Sequence, residues 1–317
     1  MSGANLSDWY FVDRQDRYMM IRDCKLLARF YQNLVDKVSS FSYEVSPDGR
    51  IALGDKMRGL NPVHNTTRFR QHAHDQISSF VEVHSLYNML QDFDAAEEAL
   101  QDNSDLDTWI FPIIQMGPFD IVQDEEVTCQ ILQDASKTSN AKLFLSSAYF
   151  NFTQEYEDII LDTDTDVDII TAAPRANGFF SARGPMRHIP TLYSKIEEDF
   201  YAQIMSHKKQ ALIRVHEYQQ PNWTFHSKGL WVYAPGDNAP CLTMIGSPNF
   251  GRRSVKRDLE SQVVLLTQNM RLMHHIQEEQ QRLFSETEIV DEATFNTPDR
   301  RPGLLLTLMT KCLQSLL

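Results

Sequence analysis

Residues 224–261 read TFHSKGLWVYAPGDNAPCLTMIGSPNFGRRSVKRDLES. Two β-rich runs, FHSKGLWVYA and CLTMIGS, flank APGDNAP, whose Pro, Gly and Asn spell a hairpin turn. Side chains alternate faces along a strand, so His226 and Lys228 are expected to point the same way. That places an imidazole beside a fixed positive charge, an arrangement suited to attack on phosphorus while the ammonium neutralises phosphate oxygens. The second strand delivers Ser247 and Asn249 to the same edge as further donors, and Gly246 removes a side chain where backbone must approach closely. Glu260, eleven residues after Asn249, is expected to accept from the imidazole Nδ1–H and fix the tautomer.

Outward from this segment, strands and helices alternate. RDCKLLARFYQNLVDKVSSF has helical spacing, as do DEEVTCQILQDAS, YEDIIL, IPTLYSKIEEDFYAQIMSHKKQ and NMRLMHHIQEEQQRLF. AKLFLSSAYFN, VDIITAA and ALIRVHEYQ read as strands, and DRYMMI as a short one. SPDGRIALGDKMRGLNPVHN is rich in Pro, Gly and Asn and reads as a loop or linker. SSFVEVHSLYNMLQDFDAAEEALQDNSD is helical in pattern, and WIFPIIQMGPFDI is apolar but broken by prolines. The expected class is α/β: a mixed or largely parallel sheet covered by helices, with loops at the strand ends building the site.

The chain has 317 residues and a formal net charge of −13. That balance argues against nucleic-acid binding through a broad basic field, although a local basic patch remains able to hold a phosphate. Four scattered cysteines, Cys24, Cys129, Cys241 and Cys312, include no CxxC pair and read as free thiols. No apolar run reaches the ~20 residues of a membrane-spanning helix. The run GLLLTLMTKCLQSLL reads as a helix packed on the core, with contact to one bilayer leaflet as the alternative. Near the other end, SGANLSDWYFVDRQDRYMMI resembles IGSPNFGRRSVKRDLESQVVLL. Aligning Asn5 with Asn249 places Gly3 on Ser247 and Asp16 on Glu260, which suggests two similar halves.

The combination H-x-K, G-S-x-N and a following acid resembles the signature of the phospholipase D superfamily, whose members carry two such motifs. SGANLSD, DRQDRY, WIFPIIQMGPF, AYFNFTQEY, NGFF, TFHSKGLW and GSPNFGRRSVKRDLE resemble the eukaryotic phosphatidylglycerophosphate synthases more closely, over essentially the whole chain. Tyr233 stands where the superfamily has an Asp, five residues after the Lys, and the gap from Lys228 to Gly246 is longer than its pattern. Only the H-x-K at His226–Lys228 sits in such a motif. The resemblance therefore implies a form lacking the first: residues 1–46 as a remnant of the first half, 47–76 as a linker, and 77–317 as the second half.

What the resemblance implies is phosphatidyl transfer from CDP-diacylglycerol to sn-glycerol 3-phosphate, giving phosphatidylglycerophosphate and CMP through a phosphohistidine. Neither metal nor cofactor is implied. Asn5 is then a phosphate donor and Asp16 the orienter of the absent histidine. His226, Lys228, Ser247, Asn249 and Glu260 form the second half-site, with either histidine open as the nucleophile. The family setting implies a peripheral membrane surface and a mitochondrial location. A short form that binds headgroup or partner without turnover stays open, as does another phospholipase D-type hydrolase or phosphatidylserine synthase.

Weaker signals surround this core. Arg252, Arg253, Lys256 and Arg257 are candidate contacts to substrate phosphate or an ordinary solvated face. DTDTDVD (162–168) imitates an EF-hand loop but has Val167 where Gly belongs, so it reads as an acidic turn. His72 and His74 would share a face if QHAHD were a strand, without a third ligand nearby.

Overall fold

The computed structural model describes residues 1–54, 57, 59–84, 106–297 and 300. In chain order these form β1 (Arg14–Gln15), α1 (Lys25–Ser40), β2 (Tyr43–Val45), β3 (Ile51–Leu53), α2 (Thr66–Val83), β4 (Thr108–Met116) and α3 (Gln123–Lys137). Next come β5 (Lys142–Ser147), α4 (Gln154–Leu161), β6 (Asp166–Ala172), α5 (Ile189–Ser206), β7 (Ile213–Tyr218), β8 (Thr224–Phe225) and β9 (Lys228–Tyr233). The series closes with β10 (Leu242–Gly246), α6 (Arg252–Lys256), β11 (Leu259–Thr267), α7 (Met270–Ser285) and β12 (Thr287–Ile289). The expected α/β class is the one observed.

Two compact units share the chain. The first comprises the described residues of Met1–Met20, Asp107–Gln115 and Gln123–Leu317, and the second Ile21–Leu106 with Met116–Val122. In the first unit an eight-stranded sheet runs β12-β7-β6-β5-β9-β10-β11-β4. β5, β6 and β7 are parallel, whereas β9 is antiparallel to β5 and to β10, and β10 is antiparallel to β11. The C-terminal ends of β5 and β10 and the starts of β9 and β11 therefore meet along one edge.

Both faces of the sheet are covered, and the side-chain alternation shows it. Leu230 of β9 packs with Leu145, Val167, Val215 and Met244 against Leu132, Ile160, Ile196 and Phe200 of α3, α4 and α5. Trp231 and Tyr233, one residue out of phase, join Ile276 and Leu283 of α7 on the other face. Each fully buried large apolar side chain contributes about 1.5–3 kcal/mol over leaving it exposed. The helices are pinned locally: Thr153 caps α4 by accepting from Tyr156 N at 3.3 Å, and Asn269 caps α7 from Leu272 N at 2.9 Å.

The second unit corrects several expectations. Residues 47–76, expected as a linker, hold β3 of an antiparallel hairpin with β2 and the first turns of α2. Ala73, Ile77 and Phe80 give α2 a buried stripe, and the proline- and glycine-rich stretch before it is turn chemistry, not a break between domains. His72 and His74 lie on this helix, where neighbours two apart face different ways, and His74 Nδ1 sits 2.7 Å from Phe119 O. DRYMMI is not a strand: the paired strand residues are Arg14 and Gln15, just before it, and within it Tyr18 makes an isolated bridge with Ser2. The apolar tail with Cys312, and the helix expected through residue 105 beyond α2, lie outside the described residues.

Candidate active site

β1 and β8 are only two residues each, yet they decide where the chemistry sits. They pair in parallel, Arg14 with Thr224 and Gln15 with Phe225, and the ladder continues as His226 N donates to Gln15 O at 2.8 Å. This register sets Asp16 beside His226. Asp16 Oδ2 lies 2.9 Å from His226 Nδ1, and Asp16 Oδ1 accepts from Arg17 N at 2.8 Å. A carboxylate can only accept, so Nδ1 carries the proton and the ring's lone pair is on Nε2.

Glu260 was expected in that role and does not fill it. Its Oε1 accepts from Ser254 Oγ at 3.1 Å, Ser247 also hydrogen-bonds the carboxyl, and Ser254 Oγ in turn accepts from Asn249 N at 3.0 Å. The acid following the Asn5 segment therefore serves the histidine that precedes the Asn249 segment. Asp16 was read as the orienter of a different histidine. Sequence order could not show the exchange, which depends on a pairing across 210 residues.

Lys228 begins β9, and its Nζ lies 2.8 Å and 3.1 Å from the two ring nitrogens of His226 and 2.6 Å from His226 O. The two side chains do share a side as expected, although His226 and Ser227 sit between β8 and β9 and not within a strand. Burial pulls the Lys228 ammonium down to about 8. His226 is also held below the usual imidazole range, by burial first and by the Lys228 charge, against the opposing pull of Asp16. Burial raises Glu260, while the serine hydroxyls and Lys228 oppose that rise.

Beneath the pair lies Arg17, 1% exposed, whose guanidinium stacks 4.0 Å from the Trp231 ring. It donates to Glu279 of α7 at 3.1 and 2.9 Å, to Met244 O at 2.6 Å and to Thr243 Oγ1 at 2.9 Å. The segment carrying Asp16 is thereby locked to β10 and α7. Gly229 (φ 131°) makes room, because a Cβ there would lie 2.2 Å from both Arg17 Nη1 and Met244 O. At Gly246 a Cβ would lie 2.2 Å from Gln262 Cβ, which accounts for the glycine before Ser247.

These groups line a cavity of about 450 Å³. Gly3, Asn5, His226, Lys228, Ser247, Asn249 and Glu260 all reach it. Of the four basic residues considered for phosphate, Arg253 alone lines it among the described residues. Lys256 instead meets Glu125 at 3.2 Å, Arg257 is exposed, and Arg252 donates its main-chain N–H to Asn151 O at 3.1 Å. In DTDTDVD, Asp162 and Asp164 pair with Lys137, and Asp166 and Asp168 with Arg214.

Aromatic rings wall the site, and residue-level reading missed them. Tyr10 and Tyr149 meet His226 edge-on at 5.2 and 5.9 Å, and Tyr149 stacks on Tyr193 at 5.5 Å. Burial raises the phenols of Tyr149 and Tyr193, so both stay neutral donors. The only sequence signal was their place beside apolar runs, in AYFN and PTLY. The arrangement presents a neutral imidazole of fixed tautomer, an ammonium, an amide and hydroxyls to one polar space. That is equipment for a phosphoryl group.

No protein-family model matches the chain. In an alignment of 331 positions that takes in 99% of its length, it is 39% identical to the mitochondrial CDP-diacylglycerol–glycerol-3-phosphate 3-phosphatidyltransferase of Homo sapiens, and it covers 58% of that protein. Over 292 residues it is 38% identical to the probable enzyme of the same description in Dictyostelium discoideum, covering 91% of this chain and 50% of that one. The chain thus spans little more than half the length of these relatives. Among solved structures, the phosphatidylserine synthase of Haemophilus influenzae Rd KW20 matches with a TM-score of 0.55 and 20% identity. The match covers 66% of this chain and 48% of that one, a likeness of fold.

Proposed function

The chain belongs by sequence to the phosphatidyltransferase family of these relatives, and from that premise we propose that its site takes part in moving a phosphatidyl group from CDP-diacylglycerol to sn-glycerol 3-phosphate. The observation that carries this reading is the buried Asp16–His226–Lys228 constellation opening on a polar cavity. In the first step an imidazole nitrogen bonds to the lipid phosphorus, and CMP departs with the electron pair of the broken P–O bond. In the second, the acceptor hydroxyl oxygen bonds to phosphorus, its proton goes to a base, and the P–N bond breaks. A histidine kept neutral at Nε2 suits the base of the second step. Lys228, Ser247, Asn249 and Asn5 hold the phosphate oxygens, and Arg253 the second phosphate or that of the acceptor.

The two steps need two imidazoles, and His226 is the only one of the ten histidines lining the cavity among the described residues. Glu260, already turned to the cavity, is assigned to orient the second. Residues 1–20, not the whole of 1–46, are assigned to the first half-site, because Asn5 and Asp16 both belong to that stretch. The reaction then runs at a membrane surface, and the mitochondrial naming of the human and mouse relatives supports that compartment.

The test is to supply purified chain with labelled CDP-diacylglycerol and glycerol 3-phosphate, scoring retained donor, lipid product and CMP. Expected are donor binding competed by CDP, and little product. Joining on the part of a relative that lies outside the matched region should restore turnover, and His226→Ala should abolish it. Turnover that survives His226→Ala in the joined protein sinks the assignment. Donor binding with no turnover even then would favour the alternative of a headgroup-binding form, for which the single histidine speaks.

A further inference from the structure

Two segments with exposed apolar residues follow residues that line the cavity. One follows Asn5, with Trp9 59% and Phe11 82% exposed, while Tyr10 between them packs inward on His226. The other is FSARGPMRH (180–188), which follows the cavity-lining Phe179 and carries Phe180 at 49% and Met186 at 50% exposure. Gly178, just before the second segment, faces Arg14, just after the first: a Cβ there would lie 3.3 Å from the Tyr149 hydroxyl and 3.5 Å from the Arg14 guanidinium. Arg183 and Arg187 are exposed between and beside the apolar residues of the second segment. In a chain of net charge −13, the second segment is basic as well as apolar, and the two together form an apolar collar.

We propose that the collar formed by Trp9, Phe11, Phe180 and Met186, with Arg183 and Arg187, seats the cavity mouth on an anionic lipid bilayer. The proposal rests on the lipid substrate proposed above. A polar cavity of about 450 Å³ encloses a group of headgroup size, so two long acyl chains stay outside and must find an apolar phase at the mouth. Exposed aromatic and Met side chains enter the interface there, and the arginines meet headgroup phosphates. No helix among the described residues is long and apolar enough to cross a membrane, so a surface contact is the mode that this part of the chain offers.

The experiment is co-flotation with vesicles of phosphatidylcholine alone or with added phosphatidylglycerol, neither containing CDP-diacylglycerol. Binding is expected to the anionic vesicles, with a blue shift of tryptophan emission that Trp9→Phe removes. Arg183→Gln and Arg187→Gln should each weaken partitioning about fivefold, and Phe180→Ser with Met186→Ser should remove most of it while the thermal melt is unchanged. Wild-type protein that fails to float, or collar variants that float as well as wild type, would overturn the proposal. So would sedimentation showing self-association that Phe180→Ser disrupts, since the collar would then be a protein contact. Binding of soluble CDP, measured in parallel, reports on the transferase reading. Its loss with flotation intact would sink that reading and leave the collar standing.

Discussion

Lys228 costs the fold something that His226 chemistry needs. Its folded-state pKa, about 8, lies below the unfolded value near 10.4, so the unfolded chain holds the proton more tightly. Stability therefore rises with pH between about 8 and 10 and is lowest where the buried ammonium is fully charged. Lys228→Met is expected to raise stability at pH 7 by up to about 3 kcal/mol and to remove that rise, as denaturant titration at pH 7 and pH 10 would read. For the neighbouring pair, Asp16 pulls the His226 pKa upward, so Asp16→Asn should lower it further and release the Nδ1 proton. Nitrogen NMR of the ring would read both changes, and turnover of a complemented enzyme should fall on the order of 10³-fold or more. Glu260→Gln should leave the His226 tautomer in place. An unmoved tautomer in Asp16→Asn would refute the pairing.

At the level of elements, the short β1–β8 ladder holds because Arg17 bolts it to β10 and α7. Glu279→Ala leaves that guanidinium buried without its carboxylate and should cost about 3–5 kcal/mol in a chemical melt. Gly229→Ala combines a positive φ with a backbone collision and should cost upward of about 2 kcal/mol. Either variant melting like wild type would contradict the packing described. The local features were legible in the sequence. His226, Lys228, Ser247 and Asn249 lie on or just beside one hairpin, so period-two alternation and turn chemistry brought them together. The partner of His226 was not legible, because a two-residue parallel pairing leaves no periodic trace and its strands are separated by most of the chain. β4 was obscured by Pro112, which an end strand of the sheet tolerates. α2 was masked by the turn residues before it, and Tyr193 looked like any residue on the buried face of a long helix.

Across the whole molecule, the mean field and the local site have opposite signs. A net charge of −13 repels a nucleotide diphosphate at long range, while Lys228 and Arg253 attract it once it is in the cavity. Salt screens the first interaction more than the second, because the Debye length shrinks to about 8 Å at physiological ionic strength. The association rate of soluble CDP is thus expected to rise between low and moderate salt, and stopped-flow binding across that range would read it. A steep fall instead would mean that exposed basic groups dominate capture. The 210-residue separation of Asp16 and His226 has a consequence in time as well as space. During synthesis, at about 5–20 residues per second, β1 is made long before β8. Asp16 then waits roughly 10–40 s for the imidazole it orients, so the segment that holds it stays open to chaperones and proteases in the newborn chain.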